Sequence, residues 1–207
     1  MERKERESVR GYLFVVGGPG GSGCSVISKM LARRFDLRLI YAGKLFRDAV
    51  KKRGYENFED FYNSSNKESL LDLDREVDRR LVEESNGKDL LFDSKVFAGI
   101  AHIKDIPCTV KIWLTASLHV RALRHMGKQD LVGKGLLERV GMYLKERKNL
   151  KKRWKLDKDR YFKLYGVDYT KPELYNDIVI DSSKMNVEET FNLILKKLEN
   201  GQYLKKQ

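Results

Sequence analysis

Residues 12–25 read Tyr-Leu-Phe-Val-Val-Gly-Gly-Pro-Gly-Gly-Ser-Gly-Cys-Ser, a short apolar run breaking into glycines. A strand, a glycine loop and a helix in that order can cradle an anion, because loop and helix-start N–H groups converge on it. Glycines allow the unusual torsions and the close backbone approach that this requires. The phosphate-loop pattern is Gly-x-x-x-x-Gly-Lys-Ser/Thr. Gly18, Gly23 and Ser25 fit it, and Cys24 stands at the lysine position. Gly18, Pro19, Gly20, Gly21, Ser22, Gly23, Cys24 and Ser25 are therefore the expected contacts for nucleotide phosphates, with the Ser25 hydroxyl on a magnesium ion. Cys24 reads either as a small space-filling residue or as a thiol activated by the helix start.

Three further groups could complete a site. Arg47 follows the second apolar run by one helical turn and is expected to hold a phosphate. Asp93-Ser94-Lys95 ends a buried run, where Asp93 and Lys95 could read a base edge and its phosphate, or form an ordinary polar strand end. Arg153, Asp157 and Arg160 share one helical face by their i, i+4, i+7 spacing. Two arginines flanking a carboxylate can clamp a transferring phosphoryl group.

The elements that must place these residues are legible from apolar periodicity. Strands are expected at 12–16, 37–41, 88–93, 109–114 and 176–181. Helices are expected at 26–35, 44–53, 58–62, 70–84, 117–125 and 187–198, with further helices across 136–164. Residues 63–66 and 127–135 read as connections, and 1–10 as a charged tail. Apolar strands alternating with helices predict an α/β fold on a parallel central sheet, with ligands at the strands' carboxyl ends.

At 207 residues the chain fits one domain with insertions, and 41% hydrophobic content supports a real core. The net charge of +12 predicts anionic partners without choosing among nucleotides, nucleic acid and membrane surfaces. Two cysteines without a pairing pattern exclude a disulfide framework or a zinc-ribbon site. No leader-like or membrane-spanning run is visible, so a cytoplasmic protein without membrane association is expected.

Taken in order, the motifs resemble the cytidylate kinase family in its short archaeal form. The matching segments are Gly18-Pro19-Gly20-Gly21-Ser22-Gly23, Ala42-Gly43-Lys44-Leu45-Phe46-Arg47, Asp93-Ser94-Lys95, Arg160-Tyr161-Phe162-Lys163-Leu164-Tyr165-Gly166-Val167-Asp168 and Tyr175-Asn176-Asp177-Ile178-Val179-Ile180. The resemblance implies a P-loop nucleoside-triphosphate hydrolase-like fold, a helical monophosphate-binding insertion at about 44–86 and a helical lid at about 136–165. It further implies γ-phosphoryl transfer from ATP, with magnesium, to CMP or dCMP by a monomer. In that scheme Arg47, Asp93 and Lys95 bind the acceptor, and Arg153, Asp157 and Arg160 form the lid side.

The chain departs from the family pattern at Cys24, Tyr41, Lys44 and Ser94-Lys95. Arg153 and Arg160, and more distantly Lys29, are the expected sources of the charge that the loop lysine would supply. Two other readings stay open. One is a nucleotide-binding module without turnover, bound to RNA through 145–163. The other is a kinase for adenylate or another small acceptor.

Overall fold

The structure is a computed structural model, and it describes residues 11–56, 60, 61, 64, 67–127, 129 and 132–204. The tail at 1–10 lies outside the described residues, as do most of the expected helix at 58–62 and most of the connection at 63–66; Ser64, from that connection, is helical.

β1 (Leu13–Gly17) is buried along its whole length, as its unbroken apolar run requires of a strand covered on both faces. It sits at the centre of a five-stranded sheet. With β2 (Arg38–Tyr41), β3 (Leu90–Asp93), β4 (Val110–Thr115) and β5 (Ile178–Asp181), the order is β2-β3-β1-β4-β5, and every pair is parallel. The crevice of such a sheet opens at the carboxyl ends of its central strands, here β1 and β3.

The two faces of β1 feed different cores, following the alternation of a strand. Phe14 and Val16 pack with Leu31 of α1 (Cys24–Arg34) and Ile194 and Leu198 of α7 (Val187–Asn200). Leu13 and Val15 pack with Phe92, with Leu81 of α3 (Lys67–Glu84) and with Phe97 of α4 (Phe97–Ile103). α2 (Ala42–Lys52) starts directly from β2 and packs on α3 around Val50, Phe61 and Leu73. α2 begins two residues earlier than its expected helix, because Tyr41 ends the strand in extended geometry and serves as the cap residue.

After α5 (Leu118–Met126) comes α6 (Leu136–Tyr165), a single helix of 30 residues. Sequence reading left this stretch as more than one helix. Gly141 does not break it, and no atom beyond its own stretch of helix lies within 4 Å of where its Cβ would stand. Gly166, at φ 67°, ends the helix in the left-handed conformation that glycine adopts without strain. A capping box between Asn186 and Glu189 starts α7. No helix among the described residues is long and apolar enough to cross a membrane.

Candidate active site

The glycine loop leaves β1 between β3 and β4 and is fixed from beneath. A Cβ on Gly18 would stand 2.1 Å from the Leu114 carbonyl oxygen, so no other residue fits there. Gly21, at φ 84°, lies on the Arg121 backbone, where a Cβ would meet Arg121 O at 2.7 Å. Gly23 starts α1 at φ 101° with no side-chain cap, which leaves the first N–H groups of the helix for an incoming anion.

Cys24 lies under this loop. Its thiol is 3.1 Å from the Ser22 hydroxyl and packs into the core with Ile27 and Leu114. Burial, with the Asp93 charge second, pushes the thiol up to about 12. The space-filling reading therefore holds, and the activated-thiol reading does not.

Ser25 is exposed, and its hydroxyl lies beside the Asp93 carboxylate. Asp93 Oδ2 is buried without a hydrogen-bond partner, and burial raises the carboxyl above its usual range. A serine hydroxyl and an orphaned carboxylate oxygen at the foot of a phosphate loop suit a hard divalent cation that takes its remaining ligands from phosphates and water. Among the described residues no group of three or more His, Cys, Asp or Glu could hold a metal alone.

Lys95 does not face open space. Its ammonium sits 2.5 Å from Asp157 Oδ2 of α6. The Asp157 Oδ1 accepts from Arg160 Nη2 at 3.0 Å, and Arg160 Nε lies 2.9 Å from Asp74 Oδ2 of α3. One chain of charges thus joins the end of β3 to α6 and then to α3. Burial alone would raise the Asp157 carboxyl, yet Lys95 and Arg160 together hold it below the usual carboxylate range. Burial lowers the Lys95 ammonium even with Asp157 beside it. Asp74 has less compensation: burial pushes it up to about 7 against the pull of Arg160. Asp78, one turn on, accepts from the Tyr165 hydroxyl at 2.8 Å, and burial pushes it up to about 6.

These groups surround a cleft of about 950 Å³. The whole loop from Gly18 to Ser25 lines it, as do Arg47 and Phe46 of α2, Asp93 and Lys95 of β3 and its exit, and Arg153, Asp157 and Arg160 of α6. Every site residue expected from sequence is therefore brought to one cavity. Arg47 and Arg153 are exposed at its walls, whereas Arg160 is already bound to two carboxylates. Lys29 is exposed on α1 and is not among the lining residues.

Sequence reading missed two arginines of α5. Arg124 donates to the carbonyls of Ser22, Ser182 and Met185 at 3.1, 2.8 and 3.2 Å, which ties the loop to the exit of β5. It also lines the cleft. Arg121 is buried against Gly21, with Nη1 3.4 Å from the Gly20 carbonyl. The signal was an Arg-x-x-Arg spacing on the helix that directly follows β4, at the rim where ligands collect.

The sheet order, the loop and the flanking helical arms define a P-loop kinase. The AAA domain family matches residues 16–128. Solved structures of the same fold include the Aquifex aeolicus shikimate kinase, with 16% identity, TM-score 0.53, and coverage of 93% of this chain and 99% of that one. The Candida albicans thymidylate kinase matches with 14% identity, TM-score 0.52, and coverage of 95% and 94%. Among curated proteins, the cytidylate kinase of Methanopyrus kandleri is 35% identical over 88% of this chain and 90% of its own length. That of Methanococcus maripaludis is 31% identical over 91% and 98%. The chain belongs to the cytidylate kinase family.

Proposed function

We propose that the protein transfers the γ-phosphoryl group of ATP to CMP or dCMP. The observation that carries this reading is the single cleft that joins a phosphate loop, an arginine on the facing arm and a charged lid helix. The relatives named cytidylate kinase, matched over most of their length, support the same acceptor class.

In this reading α2 and α3 form the monophosphate-binding arm and α6 the lid. The loop from Gly18 to Ser25 wraps the ATP phosphates with its N–H groups. Arg47 holds the acceptor phosphate. Asp93 is assigned with Ser25 rather than with the acceptor, because the two lie side by side at the foot of the loop. Ser25 and Asp93 would hold a magnesium ion, which would supply charge neutralisation for the phosphates. Arg153 reaches the cleft from the lid with no ion pair of its own among the described residues, and is the cation placed to meet the transferring phosphoryl group. Asp157 positions Arg160 and Lys95 instead of taking a proton, because its lowered pKa keeps it ionised at neutral pH. Catalysis then comes from alignment and charge stabilisation, with the closed lid excluding water as a competing acceptor.

Cys24 leaves this site one cation short of the loop motif without making it defective. The loop carbonyls are held by Arg121 and Arg124, and Arg153 supplies charge from across the cleft. An ADP-release assay with Mg-ATP and each nucleoside monophosphate tests the proposal. CMP or dCMP should give the highest kcat/KM, and Arg153→Ala should lower kcat at least tenfold. Folded protein without acceptor-dependent turnover would leave the nucleotide-binding module as the better reading, and a preference for AMP the adenylate alternative.

A further inference from the structure

A second groove, of about 490 Å³, opens between α5 and α6 and shares no lining residue with the cleft. Its α6 wall runs from Leu144 through Arg147, Lys148 and Lys151 to Trp154, one stripe of the helix by spacing. At roughly 100° per residue that stripe is turned by about 100–220° from Arg153, whereas Asp157 and Arg160 stay within about 40° of it. One face of α6 therefore serves the cleft and another serves the groove. Leu118 and Arg121 of α5 form the facing wall.

The groove is lined by four cations and no carboxylate. Among the described residues none of the four forms an ion pair, although α6 pairs Glu138 with Lys134 and Glu146 with His125 elsewhere. Arg147, Lys148 and Lys151 stand at i, i+1 and i+4, so they repel one another across a helical turn, and an anion between them removes that cost. Arg121 adds donors from below. It is 7% exposed, its one hydrogen bond among the described residues runs from Nη1 to the Gly20 carbonyl at 3.4 Å, and its Nε has no acceptor. A guanidinium carries five donors, so Arg121 has several to spare. Trp154 closes the stripe with a ring that is 37% exposed. Buried Tyr169 steadies it, with its ring 6.0 Å away and its hydroxyl donating to the Trp154 carbonyl at 3.0 Å. A steadied indole beside cations offers a stacking surface for a flat ring.

We propose that this groove is a second nucleotide site, outside the catalytic cleft, which takes a free nucleoside triphosphate with its phosphates on Arg121, Arg147, Lys148 and Lys151 and its base on Trp154. Several phosphates are called for because several cations converge, and the volume is that of a small-molecule pocket. Lys148 and Trp154 are about 9 Å apart along the helix axis, so the ligand must carry its charge and its ring at opposite ends. The site is regulatory. Gly21 lies on the Arg121 backbone and the Gly20 carbonyl accepts from its guanidinium, so an anion that recruits Arg121 acts on the loop proposed to grip ATP.

Equilibrium dialysis of the full chain with labelled ATP and magnesium, without an acceptor, tests the proposal. The wild type should bind two equivalents. A variant carrying both Lys148→Glu and Lys151→Glu, exposed positions outside the cleft, should bind one, with the Kd of that one unchanged. A single equivalent in the wild type, or two in the variant, would overturn the site. Trp154→Ala should weaken the second equivalent roughly fivefold or more and leave the first alone, and equal affinity would remove the base from Trp154. Displacement of the second equivalent by a short single-stranded oligoribonucleotide, at a lower concentration than ATP needs to fill it, would move the phosphates into a strand and overturn the free nucleotide. With CMP saturating, the rate against Mg-ATP should depart from a single hyperbola in the wild type and follow one in the double variant. A single hyperbola in both would overturn the regulatory role. Absence of turnover would sink the kinase reading, while the dialysis would still decide the groove.

Discussion

At the scale of single residues, the position that departs most from the loop motif is buried in the core. Cys24 touches the loop and the core together, and its sulfur stands 2.7 Å from where a Cβ on Gly18 would be. A lysine there would have to turn its stem out of this packing and into the cleft. With its pKa pushed up to about 12 by burial and the nearby Asp93 charge, the thiol stays neutral at pH 8. Cys108, at the edge of the sheet core, is partly exposed. Iodoacetamide at pH 8 should therefore label Cys108 and spare Cys24 in the native protein, and label both in urea. Native labelling of Cys24 at the rate of Cys108 would contradict the buried, neutral thiol. Cys24→Ala should cost roughly 1 kcal/mol of stability through the small cavity it leaves.

At the scale of elements, α3 and α6 carry shifted carboxyls with opposite consequences for pH. Asp74 and Asp78, raised to about 7 and about 6 by burial, keep protons that the unfolded chain has already released above its ordinary carboxylate pKa of 3.8. The folded state binds more protons in that window, so stability falls as pH rises from about 4 to 7. Asp157 is lowered, so its contribution is present above the ordinary carboxylate pKa and disappears as pH falls through its folded value. Urea midpoints should show the wild type less stable at pH 8 than at pH 5. Asp78→Asn should remove part of that decline, about 1.4 kcal/mol, because its amide has no proton to lose. A wild type more stable at pH 8, with an unchanged profile in Asp78→Asn, would contradict this.

The same elements mark what sequence could and could not reveal. β1 and its loop were legible because burial on both faces and the torsions at Gly21 and Gly23 each demand particular residue types. The spacing of Asp157 and Arg160 also survives as a real contact, since i and i+3 are neighbours on a helix. The partners of that pair were not legible. Lys95 and Asp157 are 62 positions apart, and nothing local in either segment encodes their meeting. Arg121 and Arg124 resembled surface arginines of an amphipathic helix, because their acceptors are loop carbonyls about a hundred positions earlier and, for Arg124, carbonyls about sixty positions later.

At the scale of the whole molecule, the sheet anchors the phosphate loop while two helical arms flank the cleft, already joined to each other. Arg160 lies between Asp157 of its own helix, α6, and Asp74 of α3, so a ligand that draws in one arm acts on the other. The net charge of +12 favours anions bound on both sides of the cleft. Thermal unfolding makes this measurable. A ligand present at a hundred times its Kd stabilises by about 2.7 kcal/mol. In a domain of this size that raises Tm by roughly 5–11 °C. Mg-ATP and CMP binding to independent sites would give additive shifts. With the arms bridged, the combined shift should exceed the sum, because the first ligand pre-orders groups that the second also needs. Arg160→Met should return the pair to additivity, although the variant itself starts from a lower Tm because it strands Asp74 and Asp157 without their shared cation. A combined wild-type shift no larger than the greater single shift would mean that the ligands compete for one place, and the two-sided cleft would have to be abandoned.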